Sequence, residues 1–213
     1  ENMSKFLKRK EKMMSDKDIA EYHNIGKAIK HSEKYSYVNG TQSMDHGSRI
    51  YDVAGYRLPS VTTILGKTKD QKFLKDWTAK VGEQEATRIK NVSSARGTAM
   101  HKFLEHYILG TGYDDLTGLG QEAKSMAEKV IEIGLAPVEE YYGSEVTMYY
   151  PGLYAGSTDL VCSHNGEDAI VDFKQANRPK KKEWIEDYYL QIAAYAMAHD
   201  YVHNSAINKG VIM

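Results

Sequence analysis

The triplet Asp172-Phe173-Lys174, one hairpin after Asp159, carries residue types at a spacing that could do chemistry. Asn165-Gly166 lies midway between the two acids. An Asn-Gly pair is a strong signal for a two-residue hairpin turn, because both central residues need positive φ. Folding the chain about that pair sets Asp159 opposite Asp172. Cross-strand partners sit about 5 Å apart and like charges there destabilise a sheet, so two facing carboxylates invite a cation. Lys174, two residues past Asp172, projects from the same face. Hard oxygen ligands suit Mg2+ or Mn2+, and a lysine beside them can hold an attacking water or hydroxide and offset charge building on a phosphate. These groups outline a metal-dependent hydrolytic site. A three-residue loop would shift the parity and separate the faces, leaving Asp-x-Lys as a solvated strand-edge ion pair.

Other groups could join them. His101 follows Arg96-Gly97-Thr98-Ala99-Met100 early in a helical stretch, with Glu105 one turn on along the same face. An imidazole is an ordinary Mn2+ ligand and a tolerable outer ligand for Mg2+; read alone, His101 is first a satisfied surface or core histidine. Gln191 and Tyr195 form an i, i+4 pair. Their amide and phenol could pack behind the site and orient a ligand, although periodicity alone makes them ordinary helix packing. Lys180, Lys181 and Lys182 follow shortly and could meet a nucleic-acid backbone.

The elements that must position these residues change character along the chain. Residues 1–35 are charged with weak helical periodicity and read as a surface helix or partner-dependent arm. Residues 36–57, rich in Gly, Asn, Ser and Asp, read as loop with short strands. Ser60 is a candidate N-cap for a helix, and a second helix carries Phe73, Leu74 and Trp77 on one apolar face. From about Ser93 to Leu109, Ala95, Met100, Leu104, Tyr107 and Ile108 make an apolar stripe, which Gly110-Thr111-Gly112 stops. Another helix runs from about Leu119 to Gly134. Ser144–Tyr150 alternates like a strand, Pro151-Gly152 turns, and the hairpin follows with strands that look covered on both faces. A last helix spans about Lys182 to Tyr201. There is no internal repeat. The expected fold class is α/β, a central mixed β-sheet flanked by α-helices. The expected division is an N-terminal arm over 1–50 and one domain over 51–213. The chain opens Glu1-Asn2-Met3, which reads as an expression remnant or a trimmed end, and it stops at Gly210-Val-Ile-Met213 in a starting strand. A further C-terminal strand or helix is therefore expected to be missing.

Composition narrows the class. The chain has 213 residues, 41% of them apolar and 27% charged, with a net charge of −1. That is enough for one sizeable globular domain. Any nucleic-acid surface must come from local patches rather than global charge. No apolar run approaches the ~20 residues a spanning helix needs, and no secretory or transit segment is evident. The single cysteine, Cys162, rules out an intramolecular disulfide and suits a reducing compartment.

In order, Gly97-x-x-x-His101, Asp159, Asp172-Phe-Lys174 and Gln191-x-x-x-Tyr195 resemble the RecB-like branch of the PD-(D/E)XK nucleases, whose restriction-endonuclease-like core matches the expected sheet. Leu58-Pro-Ser-Val-Thr62, Phe73-Leu-x-x-Trp77, Val171-Asp-Phe-Lys174 and Leu190-Gln-x-x-Ala-Tyr195 look like the mitochondrial genome maintenance exonucleases and their phage-type exonuclease relatives. The resemblance runs from about Tyr51 to the end. It implies that Asp159 and Asp172 are metal-binding acids, Lys174 the catalytic lysine, the Phe173 carbonyl a further ligand and His101 the histidine that completes the site. Gln191 and Tyr195 match the supporting helix motif, and Glu105 and Glu145 fall near acidic positions common in the family. Against the family pattern, residues 1–50 find no counterpart, and a last strand and helix are expected to be missing. The related iron–sulfur nucleases need several Cys ligands, so a chain with one cannot be among them.

The activity this implies is a Mg2+- or Mn2+-dependent DNA exonuclease acting on single-stranded ends in replication, recombination or repair. Trp77, Lys90, Arg96, Tyr149, Tyr154 and Lys180 are candidate strand contacts, because stacking and backbone charge are sequence-tolerant, although the tyrosines read first as core or interface residues. A structure-specific endonuclease on the same fold and an inactive nuclease-like module that binds nucleic acid are the alternatives. The expected partners are DNA and, through the arm, a second protein. The expected location is intracellular, in the cytoplasm, or the host cytoplasm if the chain is phage-encoded, with no membrane association.

Overall fold

The computed structural model describes residues 30–213; most of the expected arm lies outside them. A two-residue strand β1 (Lys30–His31) is followed by β2 (Gly40–Asp45), β3 (Ser48–Val53) and β4 (Tyr56–Pro59). The last three form a separate antiparallel sheet. Their turns place His46 and Gly47, then Ala54 and Gly55, at positive φ, as two-residue hairpin turns require. The domain boundary expected after residue 50 falls inside β3, and β1 forms an edge of the central sheet.

Four helices come next: α1 (Val61–Thr68), α2 (Lys72–Val81), α3 (Glu83–Leu109) and α4 (Gly118–Lys129). Ser60 caps α1, its hydroxyl accepting from the Thr63 N–H. The apolar face expected on α2 does not enter the core: Phe73 is 78% and Leu74 40% exposed. The buried stripe of α3 is Ala99, Met100, Phe103, Leu104, Tyr107 and Ile108, three turns of i, i+4 repetition. Ala95, expected in that stripe, is exposed. Gly110 closes α3 in the left-handed conformation, φ 69°.

The central sheet has the order β1-β5-β6-β7-β8, with β5 (Val138–Tyr150), β6 (Tyr154–His164), β7 (Glu167–Asp172) and β8 (Lys209–Ile212). β1–β5 and β7–β8 pair in parallel, the others antiparallel, so the sheet is mixed. Helix α5 (Glu186–His203) precedes β8. Alternate residues divide the interior. Leu160, Cys162, Ala169 and Val171 pack against α3 and α4, while Val161 and Ile170 pack against Val61 of α1 and Ile192, Tyr195 and Ala198 of α5. Helices thus cover both faces, as the unbroken apolar run of β7 requires. Each large side chain fully buried here contributes about 1.5–3 kcal/mol.

Candidate active site

β6 and β7 meet through a tight turn in which Asn165 has φ 51° and Gly166 φ 76°. Their register runs from His164–Glu167 to Leu160–Val171, and its next step sets Asp159 opposite Asp172. On the other side, β5 pairs Ser144 with Leu160 and Val146 with Thr158, which sets Glu145 opposite Asp159. Three carboxylates therefore stand in one row across three adjacent strands. Glu145 has φ 50°, a left-handed conformation uncommon outside glycine.

Helix α3 lowers His101 onto this row. Its Nδ1 lies 3.2 Å from Asp159 Oδ1 and 4.0 Å from Glu145 Oε1, and its Nε2 lies 3.0 Å from the Phe173 carbonyl oxygen. Both ring nitrogens thus face acceptors, which a protonated imidazole satisfies. Burial alone would lower its pKa, but the hydrogen bond to Asp159 and the charges of Asp159, Glu145 and Asp172 raise it. Asp159 Oδ2 accepts from the Phe173 N–H at 2.5 Å. Lys174 ion-pairs with the buried Asp172 through Oδ2.

The row is short of donors, and its electrostatics reflect this. Burial, then the neighbouring Asp159 charge, pushes the Asp172 carboxyl up to about 6 against the pull of Lys174. Partial burial, then Asp159, pushes Glu145 up to about 7, with His101 opposing and Glu105 adding to the rise. Among the described residues, His101, Glu145 and Asp159 offer ligand atoms all within 4.8 Å of one another. Asp172 is outside that trio, so the ligand set expected from sequence is met only in part by this cluster, and Glu145, expected to support, belongs to it. Carboxylate oxygens, an imidazole and the Phe173 carbonyl are a donor set that a hard divalent cation accepts. The site therefore fits such an ion.

Two clefts flank the row. One, of about 480 Å³, is lined by His101, Glu105, Glu145, Thr98, Gln42 and Gln175 among others. The second, of about 450 Å³, is lined by Lys174, Asn177, Arg178, Lys180 and Tyr188 among others; Lys180 Nζ donates to the Tyr188 hydroxyl at 2.5 Å. Gln191 and Tyr195 are buried on α5, the amide donating to the phenol oxygen at 3.0 Å. Tyr195 packs against Gly156 of β6 so closely that a Cβ there would lie 2.5 Å from its ring.

The expected strand contacts separate. Lys180 lines the second cleft, whereas Lys90 lines a different one at the α2–α3 corner, and the half-buried Trp77 lies on α2. Tyr154 is turned inward, packing on the α5 side of the sheet with its hydroxyl donating to the Ala194 carbonyl. Tyr149 packs beside Tyr51 and Leu58 of the small sheet. Arg96 is also turned inward, with only 11% of its side chain exposed. Gln42, Gln175 and Asn177 are unforeseen in the sequence; no local motif marks them, although Gln175 directly follows Lys174.

No family model matches the chain. It is 27% identical over 180 residues to mitochondrial genome maintenance exonuclease 1 of Xenopus tropicalis, a match covering 76% of this chain and 49% of the relative. It is 26% identical over 169 residues to the protein of that name from Mus musculus, covering 73% and 49%. The chain spans about half the length of the curated relatives it matches. Among the described residues no helix is long and apolar enough to cross a membrane, and the expected cytoplasmic location finds no support in relatives named mitochondrial. The resemblance carried by the motifs holds: over three quarters of its length this chain is similar to mitochondrial genome maintenance exonucleases.

Proposed function

We propose that the chain is a divalent-metal-dependent DNA nuclease on a PD-(D/E)XK core of the RecB-like branch, removing nucleotides from single-stranded ends in DNA replication, recombination or repair. The observation that carries this reading is the row Glu145, Asp159, Asp172, capped by His101 and ending in Lys174. Asp159, Asp172, His101 and the Phe173 carbonyl would hold the ion, with Glu145 at the rim. Bound Mg2+ or Mn2+ would act as a Lewis acid on the phosphate and acidify a water. His101 would bind an ion as the neutral imidazole, so the ion and a proton compete for that ring. The Lys174 ammonium, now turned to Asp172, holds the attacking water and offsets charge on the phosphate oxygens. Gln191 and Tyr195 stiffen β6 from behind, and Lys180 offers charge to the strand beside Lys174. The exonuclease mode and the DNA substrate rest on similarity to relatives that carry that name.

The test uses end-labelled linear and circular single-stranded DNA with Mg2+, Mn2+ or chelator. Linear DNA should be degraded and circular DNA left intact, with loss of activity on chelation. Lys174→Ala should slow the reaction by at least about 100-fold. Equal rates for both proteins would remove Lys174 from the chemistry. Cutting of the circle would make the enzyme an endonuclease, and binding without cleavage under either metal would make it an inactive module.

A further inference from the structure

Arg96 carries a basic side chain one turn and a residue before His101, a place where a DNA contact is the simple expectation. Its surroundings say otherwise. Nε donates to Gln175 Oε1 at 2.8 Å, Nη2 to Asn177 Oδ1 at 2.7 Å and Nη1 to Glu122 Oε2 at 3.3 Å. Each guanidinium nitrogen thereby meets a protein acceptor, two of them in the segment just after Lys174. The Gln175 amide is gripped from its other end too, because Nε2 donates to the Ser93 carbonyl of the same helical turn. Gly97 eases this approach: a Cβ there would lie a tight 3.1 Å from Gln175 Nε2.

Lys174 sits between two residues anchored to one helix. Phe173 is held by its carbonyl to His101, and Gln175 is held by Arg96 and Ser93. Its own N–H donates to the Met213 carbonyl at 2.9 Å. Helix α3 thus fixes the backbone on both sides of the lysine. We infer that Arg96 is a positioning residue, which clamps residues 175–177 to α3 and so sets the direction of Lys174 and of the Phe173 carbonyl, rather than a phosphate contact. The kinetic part of this inference rests on the nuclease reading; the clamp itself does not.

A lysine cannot replace the fork, since its single ammonium lacks the planar, paired donors. Displacing a reacting group by about 1 Å can cost about 100-fold. Arg96→Ala and Arg96→Lys should therefore lower kcat by about 10- to 100-fold while KM for single-stranded DNA stays within about twofold of wild type. Gln175→Ala should do the same, and the double variant Arg96→Ala/Gln175→Ala should be little worse than either, because both remove one unit.

The decisive experiment pairs two readouts on Arg96→Ala. One is amide hydrogen exchange across residues 173–178, expected at least about fivefold faster than in wild type. The other is the salt dependence of DNA binding with Ca2+ in place of the active ion, expected unchanged in slope. Unchanged exchange would overturn the clamp. A salt slope reduced by about one would make Arg96 a phosphate contact and overturn the inference as well. If wild type proves inactive, the nuclease reading fails alone and exchange still decides the clamp. Should Arg96→Ala fail to fold, Gln175→Ala, on a half-exposed segment, decides by the same two readings.

Discussion

The β6–β7 hairpin carries acids at both ends, and the two ends treat them differently. Near the turn, Asp168 accepts from Lys34 Nζ at 2.6 and 2.9 Å, from the Tyr35 hydroxyl at 2.7 Å and from the Tyr142 hydroxyl at 3.0 Å. Burial alone would raise its pKa, but those donors win and lower it. At the open end, Asp172 is paired with the Lys174 ammonium, and its carboxyl is pushed up to about 6. A carboxylate surrounded by donors has its charge already matched and holds the fold together. A row of carboxylates lacking donors costs stability, and a cation brought from outside would relieve that cost.

The largest expected difference between the ends is in activity. Asp172→Asn or Lys174→Ala should abolish at least about 99% of DNA hydrolysis, and Asp168→Asn should leave the rate of the folded enzyme within about twofold; single-turnover assays at matched folded concentration check this. Loss of turnover in Asp168→Asn would dissolve the contrast.

Acid should act next, through His199, which stands near the turn-end network. It is fully buried between the Tyr37 hydroxyl, 3.0 Å from Nε2, and Ser205 Oγ, 2.7 Å from Nδ1. Burial, then the neighbouring His203, lowers its pKa from 6.5 to about 4. The unfolded chain therefore takes the proton first. The stability this residue confers is complete above about pH 6.5 and falls as pH drops towards 4, by up to about 3 kcal/mol. Urea melts at pH 7 and pH 4.5 should show the loss, and His199→Gln should flatten the slope.

Smaller still is the mutational contrast in stability. Asp168→Ala leaves two phenols and an ammonium without their acceptor and should cost about 1–3 kcal/mol. Asp172→Asn removes like-charge crowding and should leave the metal-free protein unchanged or up to about 1 kcal/mol more stable. Destabilisation by both would mean that the open end is also a structural network.

What sequence reading reached follows the same division. Asn165-Gly166 fixes a register locally, so the Asp159–Asp172 pairing was legible, as were the Ser60 cap and the end of α3 at Gly110. Glu145 was placed near the site without a defined role. Its position opposite Asp159 depends on the β5–β6 pairing, which carries irregularities between Val138 and Gly143 and closes through a three-residue turn after Tyr150, so parity was not set by a short motif. Arg96 reads as a strand contact because a long amphipathic side chain carries no sign of which way it turns, whereas Tyr154 lies inward, in line with the core reading of the tyrosines. The three-stranded sheet announced itself only by His46-Gly47 and Ala54-Gly55, and the polar residues of β2 blurred its alternation.

The central claim is that the acids short of donors are a cation site. Calorimetric titration of Mn2+ into the chelator-stripped protein tests it most directly. Wild type and Asp168→Asn should bind alike, and Asp159→Asn should bind at least about tenfold more weakly. Equal binding by wild type and Asp159→Asn would contradict the account.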